Sequence, residues 1–224
     1  MEWLAAGLPQ LLCGFVIGFL IAYSGVGGGA AVIPAMIVFF NLPASAAVGT
    51  ASIYAAATKT AAGFAHWRIG NVGWRLCAQF TAAAAPGVLL SAGFVAYFSR
   101  HAEFSETLQT ALRYCIVAVI AFSLVVAQFK PSGNKRSLPL LRAAAFAVGI
   151  VMGATGIGGG VLIVPALLLL SGESPKRVIG ASIIIALALS TLAAAIYSGA
   201  QQADYALAAW MSCGAFLAAK PAAW

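Results

Sequence analysis

Apolar residues run along this chain in long blocks, separated by short polar stretches. The clearest blocks are 44–65, 74–98, 108–129, 178–197 and 205–219. About 20 apolar residues cover the hydrocarbon of a bilayer as a helix. Blocks of Ala, Leu, Ile and Val without a period of two read as helices and not as barrel strands, because backbone polar groups in lipid must be satisfied within the segment. The pattern predicts an all-α polytopic membrane protein.

One apolar stretch, 11–40, does not fit a single span. As a straight helix its length would be about 45 Å, beyond the hydrocarbon thickness. Its middle holds Ser24-Gly25-Val26-Gly27-Gly28-Gly29, with Pro34 five residues on. The same string returns 131 residues later as Thr155-Gly156-Ile157-Gly158-Gly159-Gly160, followed by Pro165. At that offset Gly18 pairs with Gly149, Gly49 with Gly180 and Thr60 with Thr191. The chain therefore reads as a duplicated membrane unit. The first repeat is 1–129 (broken helix 8–40, spans 44–65, 74–98 and 108–129). A basic cytoplasmic linker follows at 130–141. The second repeat is 142–224 (broken helix 142–171, spans 178–197 and 205–219), without a final helix.

Charge then orients the halves. The sequence carries a net +7, only 8% charged residues, 62% hydrophobic residues and a mean hydropathy of +0.99. Soluble domains are about 25% charged, so too little polar surface is present for one. The basic residues are spread over short loops, which argues against a nucleic-acid partner. Arg100 shares a mixed stretch with Glu103 and Glu106, while the strongly basic loops are 66–75, 130–142, 176–177 and 220. All of these lie on one side, the cytoplasmic one, if each glycine break returns the chain to the side it came from as a broken helix pair or re-entrant hairpin. The two repeats are then inverted relative to each other, as in secondary transporters whose site lies at the repeat interface. Cys13, Cys77, Cys115 and Cys213 stand singly in apolar runs and read as buried small hydrophobes, not as disulfides or metal ligands. The N-terminus lacks a basic n-region and reads as a retained membrane segment.

The glycine breaks carry the candidate chemistry. Residues that open a short helix after a break present N–H groups without intrahelical partners, and these together with the helix dipole favour an anion. Missing Cβ atoms let a ligand reach the backbone. This makes Gly25, Gly27, Gly28, Gly29, Gly156, Gly158, Gly159 and Gly160 substrate-binding candidates, with Ser24 and Thr155 at the expected N-cap positions and Pro34 and Pro165 as structural turn residues. Close helix packing is the competing use of the glycines. Lys59, the charged residue deepest in an apolar block, either snorkels toward the loop at His66 or faces the cavity and adds positive potential. His66, Trp67, Arg68, Trp74 and Arg75 form an interfacial aromatic and basic belt, and Arg113 is likewise interfacial. A dinucleotide-binding reading of G-x-G-G-G fails for want of a strand and a βαβ unit. No nucleophile–base pair, metal cluster or cofactor signature is found, so the chain is read as no enzyme, with no cofactor and no metal.

The paired glycine strings, Gly49-Thr50-Ala51-Ser52 with Gly180-Ala181-Ser182, and His66-Trp67-Arg68-Ile69-Gly70-Asn71-Val72 together resemble the sulfite exporter TauE/SafE family of bacterial and archaeal inner-membrane permeases, over nearly the whole chain. The resemblance implies a multi-pass inner-membrane location, transport of sulfite or an organosulfonate, and Thr50 and Ser182 as further site residues. It departs from the family pattern at the end, where the second half has no counterpart of 108–129. Alternatives are therefore a channel, an assembly subunit, or a truncated permease that leans on a partner chain or a homo-oligomer. The partners read from sequence are a small anion and the lipid bilayer.

Overall fold

The computed structural model describes residues 2–24, 29–128 and 137–219, with side chains for all of these except 2–6, 22–24, 102–104, 123–124, 126–128 and 219. They form helices throughout, with no strand among them. In chain order these are α1 (Glu2–Ser24), α2 (Gly29–Phe39), α3 (Ala44–Arg68), α4 (Trp74–Phe98), α5 (Ala102–Gln128), α6 (Leu138–Thr155), a π-helical turn (Gly159–Ile163) that runs into α7 (Val164–Leu170), α8 (Pro175–Gly199) and α9 (Tyr205–Ala219). Helices α4, α6 and α8 are each long and apolar enough to cross a bilayer. Alanine, leucine and isoleucine supply the helix propensity, and the stops fall where the chain must leave αR space. Pro43 precedes α3, and Ser174-Pro175 opens α8.

The offset of 131 residues persists in the backbone. Helix α3 and helix α8 begin and end at equivalent positions. The residue two before Pro43, Asn41, has φ 52°, and its equivalent Gly172 has φ 68°. After the helices, Gly70 (φ 75°) and Gln201 (φ 56°) make the same turn. The next N–H reaches back identically, Asn71 to the His66 carbonyl (3.2 Å) and Gln202 to the Tyr197 carbonyl (2.9 Å).

Packing is reciprocal as well. Gly49 lies against the Gln202 carbonyl, and its equivalent Gly180 lies against the Asn71 carbonyl, which is the position equivalent to Gln202. Gly18 meets Ala215 as Gly149 meets Ala84. Helix α1 thus packs along α9 as α6 packs along α4. Helices α3 and α8 cross at the centre and run antiparallel: Gly49, near the start of α3, faces Tyr197 at the end of α8, and Gly63 faces Ile183, Ile184 and Leu187 in its first half. Small residues let these helices approach to backbone contact, the usual means of association where lipid removes a hydrophobic drive between helices. Tyr54, Tyr197, Phe80, Leu189 and Ile185 fill the interior.

Each end of the bundle has its own ties. At one end the Ser137 N–H donates to the Leu170 carbonyl (3.4 Å), so α7 brings the chain back to where α6 began. Arg75, Gln79, Ser171 and Glu173 line a cavity of about 40 Å³ there. At the other end Arg100 donates to the carbonyls of Gly199 (3.1 Å) and Ala200 (3.3 Å), and the Gln202 side chain donates to the Ala96 carbonyl.

Of the cysteines, Cys77 is buried and Cys13 partly so, but Cys115 and Cys213 lie on the outer surface. The expectation of burial is corrected for these two. In a bilayer an apolar side chain has no reason to prefer the interior over the lipid face.

Candidate functional site

The second glycine break is fully described. Thr155 ends α6; its hydroxyl donates to the Val151 carbonyl (2.7 Å) and accepts the Ile157 N–H (3.3 Å). Gly156 then takes the left-handed conformation (φ 68°), which glycine adopts without a Cβ penalty, and its N–H closes α6 on the Met152 carbonyl (2.8 Å). The chain passes through buried Ile157 and Gly158 into the π-helical turn. There the N–H groups of Leu162 (3.2 Å) and Ile163 (3.1 Å) share the Gly158 carbonyl. The apolar helix that begins here continues unbroken through Gly159–Leu170. Its first N–H groups, on Gly159, Gly160 and Val161, find no acceptor among the described residues. Single π turns of this kind recur at functional sites.

Lys59 comes to this turn from α3. A Cβ built on Gly159 would stand 3.2 Å from Lys59 Cε, 3.5 Å from its Nζ and 3.5 Å from the Ala186 Cβ of α8. The lysine stem therefore crosses to the break and does not run out to the loop at His66. It makes no ion pair or hydrogen bond with the described residues; the ion pair among them, Arg177–Glu173 (3.4 Å), lies at the basic end of the bundle. An amine inside an apolar bundle, beside the residue that opens the π turn, adds its charge to the positive end of the helix dipole.

The first break meets the second. Gly29 opens α2, and a Cβ on it would lie 2.5 Å from the Gly156 carbonyl oxygen and 3.2 Å from Ile157 Cα. Gly156 in turn sits under Ile33 of α2 and Val48 of α3. The start of α2 therefore lies in backbone contact with the second break, at the residues between the end of α6 and the π turn, with α3 and α8 crossing alongside.

The remaining predicted residues are placed as follows. Gly25, Gly27 and Gly28 lie outside the described residues, and Ser24 is described only as the last residue of α1. Gly160 is the second residue of the π turn. The N-cap role expected for Thr155 is corrected: the cap position is Gly158, and Thr155 uses its hydroxyl on α6. Pro34 and Pro165 do not form the turns either. Pro34 lies inside α2 and Pro165 in the first turn of α7, where a missing N–H is tolerated. Thr50 is buried nine residues from Lys59, about 13 Å along α3; it donates to the Ala46 carbonyl (2.7 Å) and accepts the Asp204 N–H (2.9 Å) at the opposite end of the bundle. The Ser182 hydroxyl donates to the Ile179 carbonyl of its own helix (2.8 Å). His66 is partly buried, and its Nδ1 has no partner among the described residues. Ala186, Ile33 and Val48 wall the breaks but carry no mark in the sequence, since an alanine or valine in an apolar block looks like its neighbours. Among the described residues no cluster of three His, Cys, Asp or Glu side chains forms a metal site.

The start of α2 thus meets the second break inside an apolar bundle, with the Lys59 amine beside Gly159. The model of the sulfite exporter TauE/SafE family matches residues 10–224. The chain belongs to that family. Curated relatives are described as probable membrane transporters: the Bacillus subtilis probable membrane transporter protein YjnA is 31% identical over 212 residues, 89% of this chain and 82% of the relative. The B. subtilis probable membrane transporter protein YdhB is 24% identical, over 94% of this chain and 88% of its own length. A probable membrane transporter protein of Haemophilus influenzae is 28% identical, over 77% and 66%. No solved structure matches. The chain is a membrane transporter, and its relatives' names point to transport and not to catalysis.

Proposed function

We propose that this TauE/SafE protein is a secondary permease that carries a small sulfur oxyanion, sulfite or an organosulfonate, across the plasma membrane as a multi-pass protein. The observation that carries the reading is Lys59 Nζ against Gly159, at the start of the π turn and beside the contact between the two breaks. The halves act as inverted repeats. Support comes from the antiparallel pairing of the equivalent helices α3 and α8: a two-fold that maps one onto the other lies across the helix axes, in the membrane plane. Rocking of one half against the other around the fixed breaks would expose the site to each side in turn. The basic end, with Arg68, Arg75, Arg142, Lys176 and Arg177, is assigned to the cytoplasm.

Flux of radiolabelled sulfite and methanesulfonate into proteoliposomes tests this. Saturable uptake is expected. Gly159→Val, which places methyl groups on Lys59 and Ala186, should abolish it while the protein stays folded. Lys59→Gln should weaken it about tenfold, the loss of about 1.4 kcal/mol. If Gly159→Val and Lys59→Gln both carry anions at the wild-type rate, the breaks serve packing alone.

A further inference from the structure

We infer that the site accepts monoanions, of the hydrogensulfite or sulfonate kind, and rejects dianions such as sulfate. The inference rests on the permease reading above and adds the charge of its substrate. Counting charges inside the bundle leads to it. Among the described residues every Arg, Lys, Asp and Glu is exposed except Lys59 and Glu173. Glu173 precedes α8 at the basic end, where it pairs with Arg177. The interior thus offers one full positive charge to an anion at Gly159. The position equivalent to Lys59 in the second half is Ser190, which is buried and donates its hydroxyl to the Ala186 carbonyl (2.6 Å). Duplication of the helices did not duplicate the amine.

The consequence follows from charge burial. An anion beside the amine favours its protonated form. A monoanion and an ammonium then make a neutral pair, with Gly159, Gly160 and Val161 N–H groups as further donors. A dianion in the same place leaves one negative charge unbalanced in a low-dielectric bundle, and such burial is strongly unfavourable unless paired. Helix-end N–H groups carry only about half a charge at best and do not make up the difference. The Ala186 and Ile157 walls offer no polar group that could supply the rest.

Purified protein in proteoliposomes at neutral pH decides the point with two probes of fixed charge, methanesulfonate (one negative charge) and sulfate (two). Methanesulfonate should be carried, with sulfate competing about a hundredfold more weakly or worse. Ala186→Lys places a second ammonium beside Gly159 and should raise sulfate competition at least tenfold relative to methanesulfonate. If that variant does not fold, the wild-type competition ratio alone remains decisive. Equal transport of methanesulfonate and sulfate overturns the inference and leaves the permease reading standing. Absence of flux for every sulfur oxyanion, in protein shown to be folded, overturns both.

Discussion

Helices α3 and α8 are copies that agree in backbone and differ in chemistry. They share their ends, their flanking turns and the glycine that seats each on a carbonyl beyond the end of the other. Inside that common frame Ser190 stands where α3 has Lys59, and Tyr197 stands where α3 has His66. The breaks differ too: the second opens into a π turn, while α2 begins as an ordinary α-helix at Gly29. What the repeat preserves is close approach of backbones, which depends on small residues and does not forgive enlargement. What it leaves free is the charge, which is present once. The backbone frame is shared by the two helices and the charge is not.

The scaffold half of that comparison can be broken first, with the largest effect. Gly49→Ala and Gly180→Ala each drive a methyl group into a backbone carbonyl, of Gln202 and Asn71 respectively. Neither carbonyl can step aside without moving a turn. Each change is expected to destabilise the detergent-solubilised protein by about 1–3 kcal/mol, and the two losses should agree within about 1 kcal/mol. Thermal unfolding of the single variants measures this. A large loss at one position with none at the other would mean the reciprocity of contacts has no energetic counterpart.

Why the scaffold was legible and the site only partly so has a physical basis. The apolar blocks 44–65 and 178–197 marked where α3 and α8 lie, but the helices run on to Ala44–Arg68 and Pro175–Gly199, because helical hydrogen bonding continues into the polar residues at the interface. The second break was legible because Gly156 needs a left-handed φ, and few residues other than glycine take it easily. The π turn was not legible, because it depends on which of two carbonyls Ile163 reaches after the break. Nor was the direction of Lys59, since a four-carbon stem can satisfy its amine at the interface or at Gly159 equally well by sequence. Exposure was the least legible property. Leu90, Phe94, Tyr114 and Val117 are all more than half exposed, because lipid accepts what a soluble protein would bury. Helical periodicity therefore lost its usual power to point inward.

A smaller effect separates His66 from Tyr197. The Tyr197 hydroxyl donates to the Gly153 carbonyl (2.8 Å) in a fully buried setting, tying α8 to α6. Its equivalent, His66, buries Nδ1 with no partner among the described residues. Tyr197→Phe should cost about 0.6–1 kcal/mol, the usual value of a hydrogen bond between helices in a membrane protein. His66→Phe should cost nothing and can stabilise, since it removes a polar atom that is already unpaired. Unfolding midpoints of the two variants decide it. Equal losses would show that both positions make the same bond and that the halves differ less than their residues suggest.

The smallest expected effect lies at the end opposite the basic loops. Arg100 reaches from the α4–α5 turn to the carbonyls of Gly199 and Ala200, the last of α8, where the helix dipole favours a cation. Among the described residues the turn that follows α3 has no such clamp from outside; Arg68 occupies the place of Gly199 there and stacks on Phe64 at 5.8 Å. Both arginines are exposed, so solvent and salt screen them. Arg100→Gln should lower stability by no more than about 1 kcal/mol, and most of that loss should vanish at high salt. Arg68→Gln should be silent under both conditions. Were Arg68→Gln the more damaging of the two, the tie between α4 and the end of α8 would not be what distinguishes the two ends of the bundle. The asymmetry would then reside in the interior alone, with Lys59.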